Sequence, residues 1–328
     1  MTSILPEWPA AWYLACTSRE LGAVPRGFRA FGRDLVVYRT ASGRVAVMLA
    51  RCAHMGANLA GGSVVGECLR CPFHHWEFDA AGQCQRIPST AEIPAFARQL
   101  AFPAVERHGG VFFFNAATPA YPLPFFDRCT PADLAAAPAF SLVLDCPWYM
   151  VGANGIDLQH FQATHDRALV GQPEVHHPAP HIHQSTTRFR IIGPNWRDCV
   201  MRRLAGAEVE MHVTDWAGTL FFVQATLARA QTFGMVAMLP LEADRTLLRV
   251  IISVRRRLVL WDAIHARIRR YFIRKFLEPD VARSAGTDFR PDRLIAADRH
   301  LADYFAWLHS LHGSHVVPSC ERQDSRGP

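Results

Sequence analysis

Four residues in the first quarter of the chain have types and spacing suited to binding metal: Cys52-Ala-His54, then sixteen residues, then Cys71-Pro-Phe-His74. Loops that bring the two pairs together could hold a two-iron, two-sulfide cluster asymmetrically, with two thiolates on one iron and two neutral imidazoles on the other. Exchanging two thiolates for histidines raises the reduction potential above that of an all-cysteine cluster, and such a centre moves single electrons. Zinc is the alternative, because two Cys and two His also make a closed tetrahedral site. A zinc finger usually pairs Cys with Cys and His with His, whereas here each half supplies one of each, which favours the two-iron reading. The flanks agree with it. Gly56, Gly61, Gly62 and Gly82 let loop backbone approach a cluster, and Pro72, Phe73 and Trp76 shield its sulfurs.

Stored electrons need a consumer, and Asn154-Gly-Ile-Asp157-Leu-Gln-His160-Phe-Gln-Ala-Thr-His165 supplies a candidate. Two imidazoles and one carboxylate would leave three positions open on Fe(II), enough for dioxygen and substrate. A five-residue step on a helix rotates by ~140°, so a helix interruption or a loop is expected to bring His165 toward the ion that His160 holds. Apart from the cluster motif, two histidines in an apolar helix more often serve packing than metal binding.

With both motifs in view, the segments CAHMGANLAGG and CPFHHWEFDAAGQCQRIP resemble the Rieske domain of ring-hydroxylating oxygenases. They are most similar to the branch containing the 3-ketosteroid 9α-hydroxylase oxygenase component and the cholesterol 7-desaturases. The run from Asn154 to His165 resembles the same enzymes' N-x-x-D-x2-H-x4-H pattern, and the order of cluster first, iron second matches too. The resemblance implies that Cys52, His54, Cys71 and His74 hold a Rieske [2Fe–2S] cluster and that His160 and His165 bind a mononuclear Fe(II). It implies that Asp157 bridges a cluster histidine of a neighbouring subunit to an iron histidine, with Asn154 supporting the ligands. It also implies a third iron ligand on a C-terminal helix, for which Asp280 is the choice and Asp288 and Glu278 are competitors. Asp280 follows Trp261 to Leu277, where Ile264, Ile268, Tyr271, Phe272 and Phe276 recur at helical spacing. Pro279 departs from the pattern and is expected to disturb the helix unless it begins a new one. His75 stands where the family commonly has glycine or another residue, so it leaves the implied ligands in place. Ala57 stands where respiratory-chain Rieske proteins carry an additional cysteine, which favours the low-potential oxygenase type.

The elements that must position these residues are those of an α+β chain of 328 residues, half apolar and a fifth charged. VAVML, CLRCPF and VFFFN, separated by glycine-rich turns, suit an antiparallel β Rieske domain over residues 1–125. Pro119 to Pro138 reads as the connection, and Asp145-Cys-Pro-Trp148 as the start of the first strand of a catalytic domain over 126–328. There TRFRIIG, CVMRRL, AEVEMHV, TLFFVQATL, TFGMVAML and TLLRVIISV are strand candidates, followed by C-terminal helices; the resemblance implies a helix-grip domain with one large antiparallel sheet. The longest apolar tract, Gly218 to Leu241, is broken by Gln224, Arg229 and Gln231 and reads as paired strands, not a membrane span. His176-His-Pro-Ala-Pro-His181-Ile-His183 is expected as an extended surface or pocket-rim loop.

The formal charge of +6 owes much to Arg255-Arg256-Arg257 and Arg267-Ile-Arg-Arg270, read as solvated faces or a docking patch for an acidic redox partner and not as a nucleic-acid site. Beyond the two cluster thiolates, Cys16, Cys68, Cys84, Cys129, Cys146, Cys199 and Cys320 show no paired spacing, and the opening segment shows no basic leader, so a reducing cytoplasm is expected. With neither a flavin- nor a nicotinamide-binding region, the chain is expected to draw electrons from a separate NAD(P)H-dependent reductase or ferredoxin. The resemblance implies a terminal oxygenase that uses O2 to hydroxylate an apolar, steroid-like or polycyclic substrate within a head-to-tail homotrimer. An oxidative demethylase or a desaturase is the alternative, and a Rieske electron carrier without mononuclear iron is the alternative of a different class. Phe161, Phe221, Phe222, Phe233, Met235 and Met238 are read as core first and pocket lining second.

Overall fold

The computed structural model describes residues 8–127 and 129–313; Cys320 and the opening residues 1–7 lie outside that range. The N-terminal part comprises β1 (Trp12–Thr17), β2 (Arg26–Ala30), β3 (Arg33–Arg39), β4 (Val45–Leu49), β5 (Ser63–Val65), β6 (Cys68–Arg70), β7 (Glu77–Asp79), β8 (Cys84–Arg86), β9 (Ala101–Phe102), β10 (Ala104–Arg107) and β11 (Gly110–Phe114). They form three small antiparallel sheets, in the orders β1-β11-β10, β2-β3-β4-β9 and β5-β6-β7-β8. The β5-to-β8 meander packs its Leu69, Trp76 and Phe78 against Val36, Tyr38 and Met48 of the neighbouring sheet, and Cys52 and Cys71 sit inside this core. Gly62, between the two ligand loops, is there because nothing larger fits: a Cβ would lie 2.2 Å from the Arg70 carbonyl oxygen.

After β12 (Leu134–Ala136) and β13 (Phe140–Leu144) come two short helices, α1 (Trp148–Asn154) and α2 (Leu158–His165). Next are β14 (Arg167–Ala179), β15 (Ile182–Ile191), α3 (Trp196–Leu204), β16 (Glu208–Trp216), β17 (Leu220–Leu227), β18 (Ala230–Glu242) and β19 (Arg245–Arg255), closed by α4 (Val259–Arg283) and α5 (Arg299–Ser310). The strands from β12 to β19 make one eight-stranded sheet in the order β12-β19-β18-β17-β16-β15-β14, with β13 also paired to β19. Helix α4 packs against β12, β13 and β19, and α2 against β14, so helices cover one face of a long antiparallel sheet. A second core runs from Tyr13, Phe31 and Phe112–Phe114 of the N-terminal part to Phe221, Phe233, Val250 and Tyr304.

Several sequence expectations are corrected. CVMRRL is not a strand but most of α3: Asn195 caps it by accepting the Asp198 N–H at 3.0 Å, and Val200, Met201 and Leu204 share the face that lines a cavity. The stretch from Asp145 to Trp148 does not open a strand; Pro147, with φ fixed at −59°, precedes the first turn of α1. The histidine-rich tract is not a loop. It forms the end of β14, a tight turn and the start of β15; β14 tolerates Pro173 and Pro178 because it is the sheet's edge strand. Helix α4 runs through Pro279 without ending. Nor do all the arginines face solvent, since Arg269 lines the cavity.

Candidate metal centres and the cavity between the helices

The two cluster loops are built by backbone hydrogen bonds. In the first, the Cys52 N–H donates to the Ala57 carbonyl and the Gly56 N–H to the Cys52 carbonyl, each at 2.9 Å, with Gly56 at φ +73°. In the second, between β6 and β7, the Cys71 N–H donates to the Trp76 carbonyl at 2.8 Å and the His75 N–H to the Cys71 carbonyl at 3.2 Å. His75 takes φ +57°, a conformation that costs a side-chain-bearing residue about 1–2 kcal/mol, so the chain carries this small strain where the resembling sequences commonly have glycine. Cys52 and Cys71 are buried, whereas His54 and His74 are exposed with ring centroids 4.6 Å apart. The His54 ring stacks on Trp76 at 4.4 Å and an interplanar angle of 5°. Burial pushes the Cys52 thiol up to about 11, so a bound metal is what would hold it as a thiolate. Two thiols inside and two imidazoles outside fit a two-iron cluster with distinct inner and outer irons.

The second constellation lies where α2 meets α4. Asp157 caps α2, its Oδ1 accepting the N–H groups of Gln159 at 2.9 Å and His160 at 3.1 Å. The helix then runs uninterrupted to His165, and Asp166 closes it in the left-handed conformation. The expected break between the histidines is therefore absent: the long imidazoles lean together from different sides of the helix end, with Nε2 atoms 3.1 Å apart. Asp280 Oδ1 lies 3.3 Å from each of them. This near-equilateral triangle matches the ~3.0 Å between adjacent corners of an octahedron with ~2.1 Å metal bonds. Asp280 Oδ1 is buried without a well-formed hydrogen bond, as expected of an atom aimed at a shared ion. Burial works to raise the Asp280 carboxyl, but the two imidazoles outweigh it and hold it below the usual carboxylate range. The competitors are engaged elsewhere, Asp288 with the Tyr149 hydroxyl at 2.6 Å and Glu278 with Arg274 and Lys275.

Supporting residues surround the triangle. Asn154 Nδ2 donates to Ser284 Oγ at 2.8 Å, tying α1 to the end of α4. Phe276 stacks on His165 at 3.9 Å, and Arg167 lies over its ring at 5.4 Å. Arg167 also donates to the His165 carbonyl at 2.7 Å and is held bidentately by Asp198 at 2.8 and 3.1 Å, the pair wholly buried. Sequence spacing carries no signal for Arg167, Asp198 or Ser284, which join the site through long-range packing; Phe276 was visible only as one of the helix's apolar residues.

The triangle opens on a cavity of about 560 Å³ between the sheet, α3 and α4. Of the aromatic and methionine residues named from sequence, Phe161, Phe221 and Met238 line it, while Phe222, Phe233 and Met235 pack in the core.

Comparison with known proteins gives a family match for the N-terminal part and a fold match for the whole chain. The Rieske [2Fe-2S] domain model matches residues 11–97. Aminopyrrolnitrin oxygenase PrnD of Pseudomonas fluorescens is 42% identical over 123 residues, 35% of this chain and 34% of that protein. Cholesterol 7-desaturase nvd of Xenopus laevis is 34% identical over 172 residues, 50% of this chain and 38% of that protein. The chain's match thus spans little more than a third of the length of these curated relatives. The crystal structure of dicamba monooxygenase bound to dicamba superposes with a TM-score of 0.73 at 19% identity, covering 94% of this chain and 97% of that one. NdmA of Pseudomonas putida CBB5 with caffeine gives 0.74 at 20% identity, covering 90% and 89%. Residues 11–97 thus match the Rieske [2Fe–2S] domain, and the chain as a whole shares its fold with these two structures.

Proposed function

We propose that this chain is a terminal oxygenase that hydroxylates an apolar, steroid-like or polycyclic substrate with O2 and electrons from a separate reductase or ferredoxin. The observation that carries the reading is the triangle of His160, His165 and Asp280 opening on an apolar cavity, in a chain that also has a Rieske domain. In this reading Cys52, Cys71, His54 and His74 hold the cluster and His160, His165 and Asp280 the mononuclear iron. When bound, the cluster supplies single electrons and the iron supplies oxygen activation.

The residues do the rest. With an ion bound, both imidazoles would offer it Nε2 and carry their protons on Nδ1, and Asp280 would meet it as a carboxylate. Asn154, Ser284, Arg167 and Phe276 hold the ligands in place from behind. Phe161, Phe189, Val213 and Met238 exclude water and hold one C–H bond toward the triangle. The exposed edge formed by His54 and His74, with Phe73 60% and Met55 65% exposed beside it, suits contact with another protein surface. Homotrimerisation would seat that edge near Asp157 of the next subunit. The division into domains at residue 125 and the cytoplasmic location belong to the same reading; no helix among the described residues is long and apolar enough to cross a membrane. Desaturation is the second reading, because relatives are named for it: cholesterol 7-desaturase, and the tert-butanol monooxygenase / tert-amyl alcohol desaturase of Aquincola tertiaricarbonis.

The test is metal analysis followed by turnover. About three irons and two acid-labile sulfides per chain are expected; two irons would reduce the chain to an electron carrier, and zinc would remove both readings. Mass spectrometry of polycyclic substrates incubated with the protein, a surrogate reductase and labelled dioxygen then separates hydroxylation, which adds label, from desaturation, which removes two hydrogens.

A further inference from the structure

Three arginines line the cavity, and they differ in how their charge is met. Arg167, beside the histidines, is closed by the Asp198 carboxylate. Arg229 and Arg269 are not: among the described residues neither has an ion pair with a carboxylate. Arg229 donates through Nε and Nη2 to the carbonyls of Leu204 and Arg203 at 3.0 and 2.8 Å. Arg269 donates through Nη1 alone, to the Gln231 carbonyl and to Thr232 Oγ1, leaving Nε and Nη2 unengaged among the described residues. Neither nitrogen is sealed from solvent, so a half-buried guanidinium presents three unengaged N–H groups to an anion at this end of the cavity. Burial lowers its pKa.

Arg269 and Asp280 stand on the same helix, α4, eleven residues apart. That separation is about 16 Å along the axis at almost the same rotation, so both face the cavity, with Phe272, Ile273 and Phe276 between them. Exposure changes along the same line. At the Asp280 end, His165, Phe161 and Phe189 are all buried, whereas at the Arg269 end Leu204 is 67% and Ile268 50% exposed and Arg229 is open to solvent. The cavity is therefore dry and apolar beside the triangle and cationic at its mouth.

We infer that the substrate is an elongated apolar molecule ending in a carboxylate, which Arg269 and Arg229 bind at the mouth while the far end of the molecule reaches the triangle. This deepens the proposed function and rests on it for the identity of the oxidised end. A carboxylate is the anion whose two oxygens match the planar fork of a guanidinium. Held at the mouth, it keeps part of its hydration while the apolar body is buried, so binding sets both affinity and which carbon is presented for oxidation.

The test is calorimetric titration of the purified holoprotein with two acid and ester pairs, one rigid (lithocholate and methyl lithocholate) and one flexible (dodecanoate and methyl dodecanoate). In at least one pair the acid is expected to bind about tenfold or more tightly than its ester. Arg269→Gln should erase that preference and leave ester affinity unchanged, and Arg269→Lys should keep part of it. A purely structural role for Arg269, anchoring the β17–β18 hairpin, would instead weaken acid and ester alike. Should Arg269→Gln lower the melting midpoint, Arg229→Gln carries the same comparison. Equal affinity for acid and ester in both pairs, binding of neither, or a preference that survives both substitutions overturns the inference. Preferential binding of the acid without any oxidation would count against the proposed activity and leave the anion site standing.

Discussion

Asp157 does one job visible in the structure and a second proposed from its place in the motif, and two substitutions separate them. Its Oδ1 caps α2 through Gln159 and His160, and His160 lies in the first turn of that helix, so the cap also sets the position of a triangle residue. Asparagine caps helices about as well as aspartate, so Asp157→Asn should leave stability within ~0.5 kcal/mol. Alanine removes the cap at ~1 kcal/mol, which for a chain of this size lowers the melting midpoint by about 2 °C. If Asp157 also links His160 to a cluster histidine across a subunit boundary, both variants lose the negatively charged acceptor. Turnover should then fall by at least 10–100-fold in Asp157→Asn, with iron and sulfide content intact. The assay pairs metal analysis and thermal melting with single-turnover measurement of the reduced protein. The decisive comparison is Asp157→Asn: full metal content with turnover within about twofold of the parent would leave Asp157 as a helix cap and nothing more.

Three further outcomes can be measured directly. Asp198→Ala should cost ~3–5 kcal/mol, because it strands the buried Arg167 charge; Arg167→Met with Asp198→Leu should recover most of that in denaturant unfolding. That double variant should still bind mononuclear iron more weakly, since the donation from Arg167 to the His165 carbonyl is gone, and normal iron retention would contradict the positioning role. His183 is buried beside Tyr304 and Trp307, and burial, helped by His177, lowers its pKa to about 4. Between pH 6.5 and 4 the unfolded chain takes up a proton that the folded state refuses, so stability should fall on acidification by up to ~1.4 kcal/mol per pH unit. Because burial lowers the His108 pKa to about 4 as well, His183→Phe should reduce that slope without removing it in denaturation curves at pH 7 and pH 5, and an unchanged slope would show that His183 does not contribute to it. Gly62→Ala forces its Cβ against the Arg70 carbonyl, so the variant should lose the visible absorption of the cluster while the catalytic half keeps its iron.

The two motifs could be read from the chain because their residues are close in sequence. Cys52 and His54, Cys71 and His74, and His160 and His165 each lie within one loop or one helix end, where a few backbone hydrogen bonds fix the geometry. The strands of the large sheet are also legible, because alternating and continuous apolar runs mark them locally; α3 is not, because Val200, Met201 and Leu204 suit a strand or a helix equally until Asn195 and Asp198 make the cap. Spacing alone separates the carboxylates poorly. Asp280 leads Glu278 and Asp288 in sequence only through the resemblance, and in space the difference arises because α4 continues through Pro279 and packs where Asp280 meets α2. The same packing closes Arg167 with Asp198 and leaves Arg269 open on the cavity. Ion pairing and burial are settled by contacts between residues far apart in the chain, and one-dimensional spacing carries no trace of them.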